Sequence, residues 1–259
     1  MANITRVGEG KVVLISGGGK IYTDIAARFC KSQRSLDEIL ASNYDKNIVK
    51  NILDSGHLAA TEFDYFLFGV EGYSRVTETQ LVRKRMASYL ISSGRTETHG
   101  KRKFDVVLPE EESLWKEIVG KITLAQENNP VPINIQLNYL QILEVLESWY
   151  NNAVANGIPE EQARYMKPQA TMFKAILGFN SHALLDWFKI RCCRNAGFEI
   201  QDLANKMLKL CKQVAPDLFA KAGASCVSLG YCPEKWQCQK FKGKIPTHQD
   251  VLEMIHNWK

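Results

Sequence analysis

SRVTETQLVRKRMASYLISSGR, residues Ser74 to Arg95, opens as a helix-forming segment carrying Arg75, Gln80, Arg83 and Arg85. It then passes into a short Ser/Gly-containing loop that holds Ser93 and ends on Arg95. Guanidinium groups delivered into a hydroxyl- and amide-rich loop suit a phosphate or carboxylate, because the planar fork makes paired, charge-assisted hydrogen bonds to such oxyanions. The same residues also suit a solvated basic helix. Pattern alone leaves both readings open.

The rest of the composition bounds the answer without choosing. The chain has 259 residues, of which 45% are apolar and 24% charged, as in a soluble globular protein with a substantial core. A net charge of +5 fits an anionic small molecule as well as a nucleic acid. Aromatic and basic residues do not interleave on a recognisable surface, so a nucleic-acid partner is not expected. No apolar run reaches the length of a membrane span and the first thirty residues lack a signal-peptide pattern, which makes the cytoplasm the expected address and a membrane partner unexpected. The seven cysteines are read as reduced thiols. The series Cys226-x5-Cys232-x5-Cys238 has none of the usual zinc spacings and no nearby His, so no metal is expected.

In chain order, Lys11–Ser16 reads as a buried strand broken by Gly17-Gly18-Gly19, whose GGGK turn lacks the dinucleotide and P-loop spacings. Ile21–Lys31 has helical periodicity, Ser35 caps a short helix through Ala41, and Asn47–Leu53 forms another. Glu62–Val70, dense in aromatics, reads as a strand, and Phe104–Leu108 as a shorter one. Pro109 with Glu110, Glu111 and Glu112 starts a helix. Ile133–Ala155 reads as one long amphipathic helix ending at Gly157, with Ile135, Tyr139, Ile142, Leu143, Leu146 and Trp149 as its apolar stripe. A short helix Glu160–Arg164 and a strand Thr171–Phe179 follow. Asn180 is placed to cap the next helix, NSHALLDWFKIRCC. There Asn180, Ala183, Leu184, Trp187 and Arg191 share a stripe, and an arginine on it needs an anion, a backbone cluster or a ligand. Glu199–Val214 is another amphipathic helix, Pro216–Ala222 reads as one more, and a last short helix begins at Gln249. No convincing Ser-His or Cys-His catalytic pair occurs.

These motifs resemble those of flavin-dependent thymidylate synthases. The family signature Q-L-V-R-H-R-x-x-S-x-N-E-x-S-x-R is matched at Gln80, Leu81, Val82, Arg83, Arg85, Ser88, Ser93 and Arg95. Its G-H-x-S-x-x-E-H segment is matched at Gly56, His57 and Glu62, and its arginines flanking Asn180 correspond to Arg164 and Arg191. The tail resembles a Cys-containing extension with a CPE triplet. The resemblance implies an α+β fold with helices packed around a mixed or antiparallel sheet. It makes residues 1–225 a single domain and residues 226–259 a Cys-containing extension.

The resemblance also implies C5 methylation of dUMP or a related uridine nucleotide in a homotetramer with shared sites. FAD is the implied cofactor, NADPH the reductant and methylenetetrahydrofolate the one-carbon donor. By match, Gln80, Arg85, Ser93, Arg95, Arg164 and Arg191 bind the pyrimidine nucleotide, with Arg191 in the catalytic role of stabilising developing charge. Arg83, Lys84 and Asn180 fall on the flavin side.

Several positions depart from the pattern. Phe63 replaces a His, Lys84 the motif's His, Leu90-Ile91 its Asn-Glu, His182 an Arg, Asp186 an Asn and Gly197 a Gln. Leu90-Ile91 removes two polar groups, and Asp186 puts a like charge beside a phosphate-rich cofactor, which Lys84 offsets in part as a point charge. Weaker or altered FAD binding is therefore expected. A nucleotide-binding paralogue without flavin chemistry, acting as a regulatory or assembly subunit, is the alternative.

Overall fold

The computed structural model describes residues 3–18, 21–93, 103–109, 112–126, 129–239 and 242–258. Along the chain these form β1 (Asn3–Arg6), β2 (Lys11–Ser16), α1 (Tyr22–Lys31), α2 (Leu36–Leu40) and α3 (Lys46–Ser55). A 3-10 segment, Leu58–Phe63, leads into β3 (Tyr65–Ser74), α4 (Arg75–Leu81), β4 (Ala87–Ile91) and β5 (Asp105–Leu108). Then come α5 (Glu112–Glu117), the hairpin β6 (Val119–Gln126) and β7 (Asn129–Asn138), α6 (Tyr139–Ala155) and α7 (Glu160–Ala163). After a 3-10 turn, Arg164–Met166, the chain ends with β8 (Met172–Asn180), α8 (Ser181–Arg191), α9 (Phe198–Val214), α10 (Ser225–Leu229) and α11 (His248–His256). The α+β expectation holds: helices accompany a four-stranded sheet, a parallel β1–β5 pair and an antiparallel β6–β7 hairpin.

Two units divide these elements. The first comprises Met1–Lys11, Glu71–Thr79 and Ile91–Lys174. Its core gathers Phe104, Val106, Leu143, Tyr150 and Ala163, with the Phe104 and Tyr150 rings edge to face at 5.6 Å. The expected helix over 133–155 is corrected here. Residues through Asn138 pair with β6, Ile135 standing opposite Ile122, and only from Tyr139 does the chain turn helical. Asn138 marks the switch with a reciprocal capping box: its side chain accepts from Gln141 N at 3.0 Å, and Gln141 Oε1 accepts from Asn138 N at 2.8 Å. Such a cap contributes about 1 kcal/mol.

The second unit comprises Val12–Val70, Gln80–Leu90 and Ala175–Lys259, and most of the sheet β2-β3-β8-β4 lies in it. Its core is aromatic. Phe66, Phe188 and Phe219 are buried completely, with ring centroids 5.3 Å apart for Phe66–Phe219 and 6.1 Å for Phe188–Phe219. Burying each ring stabilises the fold by about 1.5–3 kcal/mol. The buried Asp64 carboxylate ties α1 to the start of β3, accepting from Tyr22 N at 2.6 Å, from Thr23 N at 3.1 Å and from the Thr23 hydroxyl. Within the sheet, Gly178 on β8 leaves room for the Tyr65 ring from β3, since a Cβ there would meet the Tyr65 hydroxyl at 2.3 Å. Tyr65 Oη thereby reaches Ser88 Oγ on β4, at 3.3 Å.

Further expectations are corrected. Lys11–Ser16 is a strand but not a buried one: it stands at a sheet edge, with Val13 and Ile15 exposed. Glu62 and Phe63 belong to the 3-10 segment, and the strand begins only at Tyr65. Residues 87–91, read as part of a loop, form edge strand β4. Pro216–Ala222 is a run of turns and not a helix. Gly19, Lys20, Glu110 and Glu111 lie outside the described residues.

Candidate active site

The arginine stretch turns back on itself immediately after α4. Tyr89 on β4 donates its hydroxyl to the carbonyl oxygens of Leu81, at 3.1 Å, and Lys84, at 2.8 Å, giving partners to carbonyls that a helix end leaves over. Leu81 is fully buried and anchors the turn, while Arg83 and Arg85 are exposed. Burial pushes the Tyr89 phenol up to about 12, against the opposing pull of Arg191. Tyr89 was missed in the sequence; a lone tyrosine in this stretch carries no signal until the strand is known.

Arg191, the last residue of α8, reaches this turn. Its guanidinium donates to the Gln80 carbonyl at 3.0 Å and is half-buried. Desolvation, and then the nearby charge of Arg83, push its pKa below the usual guanidinium value. A half-buried cation beside another cation is a place where an anionic ligand gains and relieves repulsion. Gln80 lies against Gly197, where a Cβ would stand 3.3 Å from the Gln80 amide nitrogen. Gln80, Arg83 and Arg191 thus come together within the second unit.

Two of the departures from the family pattern are paired with each other. Lys84 donates to Asp186, and that hydrogen bond, with the Lys84 charge, holds the Asp186 carboxyl below the usual carboxylate range. The like charge anticipated at Asp186 is therefore matched locally. His182 Nδ1 lies 3.2 Å from Glu62 Oε1. Asn180 caps α8 as expected, its side-chain oxygen accepting from Ala183 N at 2.8 Å. Phe63 and Leu90, each standing where the family pattern has a polar residue, are 66% and 71% exposed. Trp187, on the same stripe as Asn180 and Arg191, has a buried indole Nε1 without a hydrogen-bond partner among the described residues.

In the first unit, Ser93 and Arg164 line one cleft of about 730 Å³ together with Arg75, Ser92, Tyr165 and Lys167. Arg75 is held there by Glu78 at 2.5 Å and by the Ser92 carbonyl at 2.9 Å. Arg164 is half-buried and donates through Nε to the Glu161 carbonyl at 3.1 Å. Lys167, stacked over the Tyr150 ring at 5.1 Å, adds a cation that sequence reading had not singled out. Arg95 lies outside the described residues.

Comparison with known proteins identifies the family. The family described as "Thymidylate synthase complementing protein" matches residues 18–217. The flavin-dependent thymidylate synthase of Geobacter sulfurreducens is 33% identical over 213 residues, covering 81% of this chain and 84% of that protein. The protein of the same name from Nitratidesulfovibrio vulgaris is 36% identical over 205 residues, 78% of each. Among solved structures, the UMP/dUMP methylase PolB from Streptomyces cacaoi bound with 5-Br dUMP superimposes with a TM-score of 0.63 at 17% identity. That superposition covers 84% of this chain and 95% of PolB, and supports the fold. With 200 of its residues inside the family match and relatives a third identical over most of its length, the chain belongs to the flavin-dependent thymidylate synthases, the thymidylate synthase complementing proteins.

Proposed function

We propose that this chain methylates C5 of dUMP, with FAD as bound cofactor, NADPH as reductant and methylenetetrahydrofolate as one-carbon donor. The observation that carries this reading is Arg191: a half-buried guanidinium fixed on the Gln80 carbonyl, with its charge opposed by Arg83. Such a group stabilises negative charge that develops on a pyrimidine, and it needs no reorganisation to do so.

The donor set fits a flavin dinucleotide. Arg83 brings positive charge, and Asp186 is neutralised by Lys84, so it does not repel a pyrophosphate. Asn180 spends only its side-chain oxygen on the helix cap, and its amide nitrogen is a donor. The orphaned Trp187 Nε1 is one more buried donor on that stripe. Arg83, Lys84 and Asn180 would hold the flavin, which when bound supplies the hydride that completes the methyl group.

The protein's own part is to bind, orient and polarise. Gln80, Arg85, Ser93, Arg95 and Arg164 bind dUMP, mainly through its phosphate, a dianion suited to paired guanidinium contacts, and Arg191 addresses the pyrimidine. Tyr89 keeps the Arg83 turn closed. We further propose that residues 1–225 act as one catalytic domain, with 226–259 appended, and that the chain works as a homotetramer. The exposed apolar residues Val13 and Ile15 on an edge strand, together with Phe63 and Leu90, favour subunit contacts over a solvated surface. Among the described residues no helix is long and apolar enough to cross a membrane.

The test is an absorption spectrum of the purified protein with and without added FAD, followed by an assay of dTMP formation from dUMP with NADPH and methylenetetrahydrofolate. Flavin uptake with turnover supports the reading. A protein that takes up dUMP but no FAD is instead a binding paralogue.

A further inference from the structure

Five of the seven cysteines line a single cavity of about 330 Å³ in the second unit: Cys192, Cys193, Cys226, Cys232 and Cys238. Three of them come from the segment beyond residue 217, where the family match ends. All seven thiols are free. Of the five, Cys193, Cys232 and Cys238 each lie near enough to Cys226 to act on its charge, and all four share the cavity wall. Cys192 lies near both Cys193 and the buried Cys211, and burial pushes its own thiol up to about 12.

The backbone that carries the four is fixed at several points. Gln201 Nε2 donates to the Cys193 carbonyl at 2.6 Å. Ser225 Oγ, at the start of α10, donates to the Lys189 carbonyl on α8 at 3.2 Å. Cys232 pairs as a bridge with Thr247, its N–H donating to the Pro246 carbonyl at 2.8 Å. Asn195 Nδ2 holds the Trp236 carbonyl at 2.8 Å, and Gln237 Nε2 the Ile245 carbonyl at 3.0 Å. A short tail with little regular structure is thus tied down by many polar contacts, and it brings three thiols to the cavity that Cys193 also lines.

We propose that Cys193, Cys226, Cys232 and Cys238 ligate a [4Fe–4S] cluster in this cavity. Among the described residues, no group of three or more His, Cys, Asp or Glu is placed to hold a metal ion. A zinc ion draws its sulfurs in to about 2.3 Å, whereas a cubane spreads its four thiolate ligands around its corners and fills a cavity between them. The lining also suits the charge: four thiolates on a cubane leave a net anion, and two cations, Arg194 and Lys212, border the cavity against one carboxylate, Glu234. Cys232 is followed by Pro233, as the last cysteine is in the ferredoxin run. Loading is a ligand exchange without a change of oxidation state. Four small-thiol ligands leave a preassembled cluster, each taking up the proton released by one protein cysteine as its sulfur bonds to iron.

The inference does not depend on dUMP methylation, because the metal content of the chain is read without turnover. The full chain purified without oxygen is analysed for iron and acid-labile sulfide, and examined by electron paramagnetic resonance after dithionite reduction. Flavin absorption masks neither readout. The expected result is on the order of four iron and four sulfide per chain with a reduced-cluster signal. Cys226→Ser and Cys238→Ser should each lose more than half of the iron, and Cys30→Ser, an exposed thiol outside the cavity, none. Failure to hold iron and sulfide, both as purified and after anaerobic incubation with a preassembled thiol-ligated cluster, overturns the proposal. So does stoichiometric zinc, or a disulfide among the four in the anaerobic protein. Should a serine variant fail to fold, the content of the unaltered chain decides.

Discussion

Lys84 and Asp186, separated by 102 positions in sequence, form an ion pair in which the lysine ammonium donates to the carboxylate. Both positions depart from the family pattern. Together they leave the local charge near neutral, where Asp186 alone would have repelled a phosphate-bearing cofactor. Lys84→Met should therefore weaken FAD binding by about tenfold, the scale of an unpaired charge near a phosphate, whereas Asp186→Asn should leave it equal or tighter. Fluorescence titration of FAD into the two variants reads the asymmetry directly, and equal losses in both would refute it. The pair also predicts a pH dependence. Because the folded-state carboxyl lies below its ordinary value, its stabilisation is present above the ordinary carboxylate range and is lost as pH falls through the depressed value. With Asp186 half exposed, the loss is at most about 1 kcal/mol, and in acid denaturation it should vanish in Asp186→Asn.

Arg191→Lys keeps the charge but loses the fork. On the proposed role it should lower kcat for dTMP formation by about 10²-fold with little change in KM, as removal of a transition-state donor does. Steady-state kinetics on the FAD-loaded protein make the distinction. A change confined to KM would assign Arg191 to substrate binding alone.

Arg164→Ala removes a half-buried guanidinium from the cleft that it lines with Ser93. The dUMP dissociation constant measured by calorimetry should rise by at least about tenfold, the worth of a charge-assisted phosphate contact, with FAD affinity unaffected. Arg95→Ala should behave alike. Unchanged nucleotide affinity in both variants would mean that the phosphate is held elsewhere.

Gly197→Ala places a methyl group 3.3 Å from the Gln80 amide nitrogen and 3.4 Å from its oxygen. The side-chain end is flexible, so the fold should tolerate the change within about 1 kcal/mol. The displaced amide should raise KM for dUMP severalfold. Thermal denaturation beside kinetics tests both halves, and a large stability loss with normal KM would contradict them.

Gly178→Ala acts on the sheet itself, because the new Cβ would meet the Tyr65 hydroxyl at 2.3 Å. Overpacking of this kind costs about 1–3 kcal/mol. Introducing Tyr65→Phe into the Ala variant should recover part of that loss, although it forfeits the bond to Ser88. Urea denaturation of the single and double variants gives the coupling, and simple additivity would exclude the clash.

What sequence alone determined here was local. Asn180 had the side chain of a helix cap in front of an apolar stripe, and it caps α8. The spacing of arginines around it and after Gln80 was enough to name the family, which the comparison bears out. Tertiary structure decided whatever depends on a distant partner. The stripe from Ile135 to Trp149 is helical by period, yet Ile135 is a strand residue because β6 is there to pair with it, and backbone pairing across a hairpin outweighs a propensity difference of a few tenths of a kcal/mol per residue. Val13 and Ile15 have the composition of a buried strand but occupy an edge, since sheet position is not written in any one strand. The meeting of Lys84 with Asp186, and of Cys193 with three thiols of the tail, belongs to the same class: side-chain chemistry is local, but neighbourhood is set by how the whole chain packs.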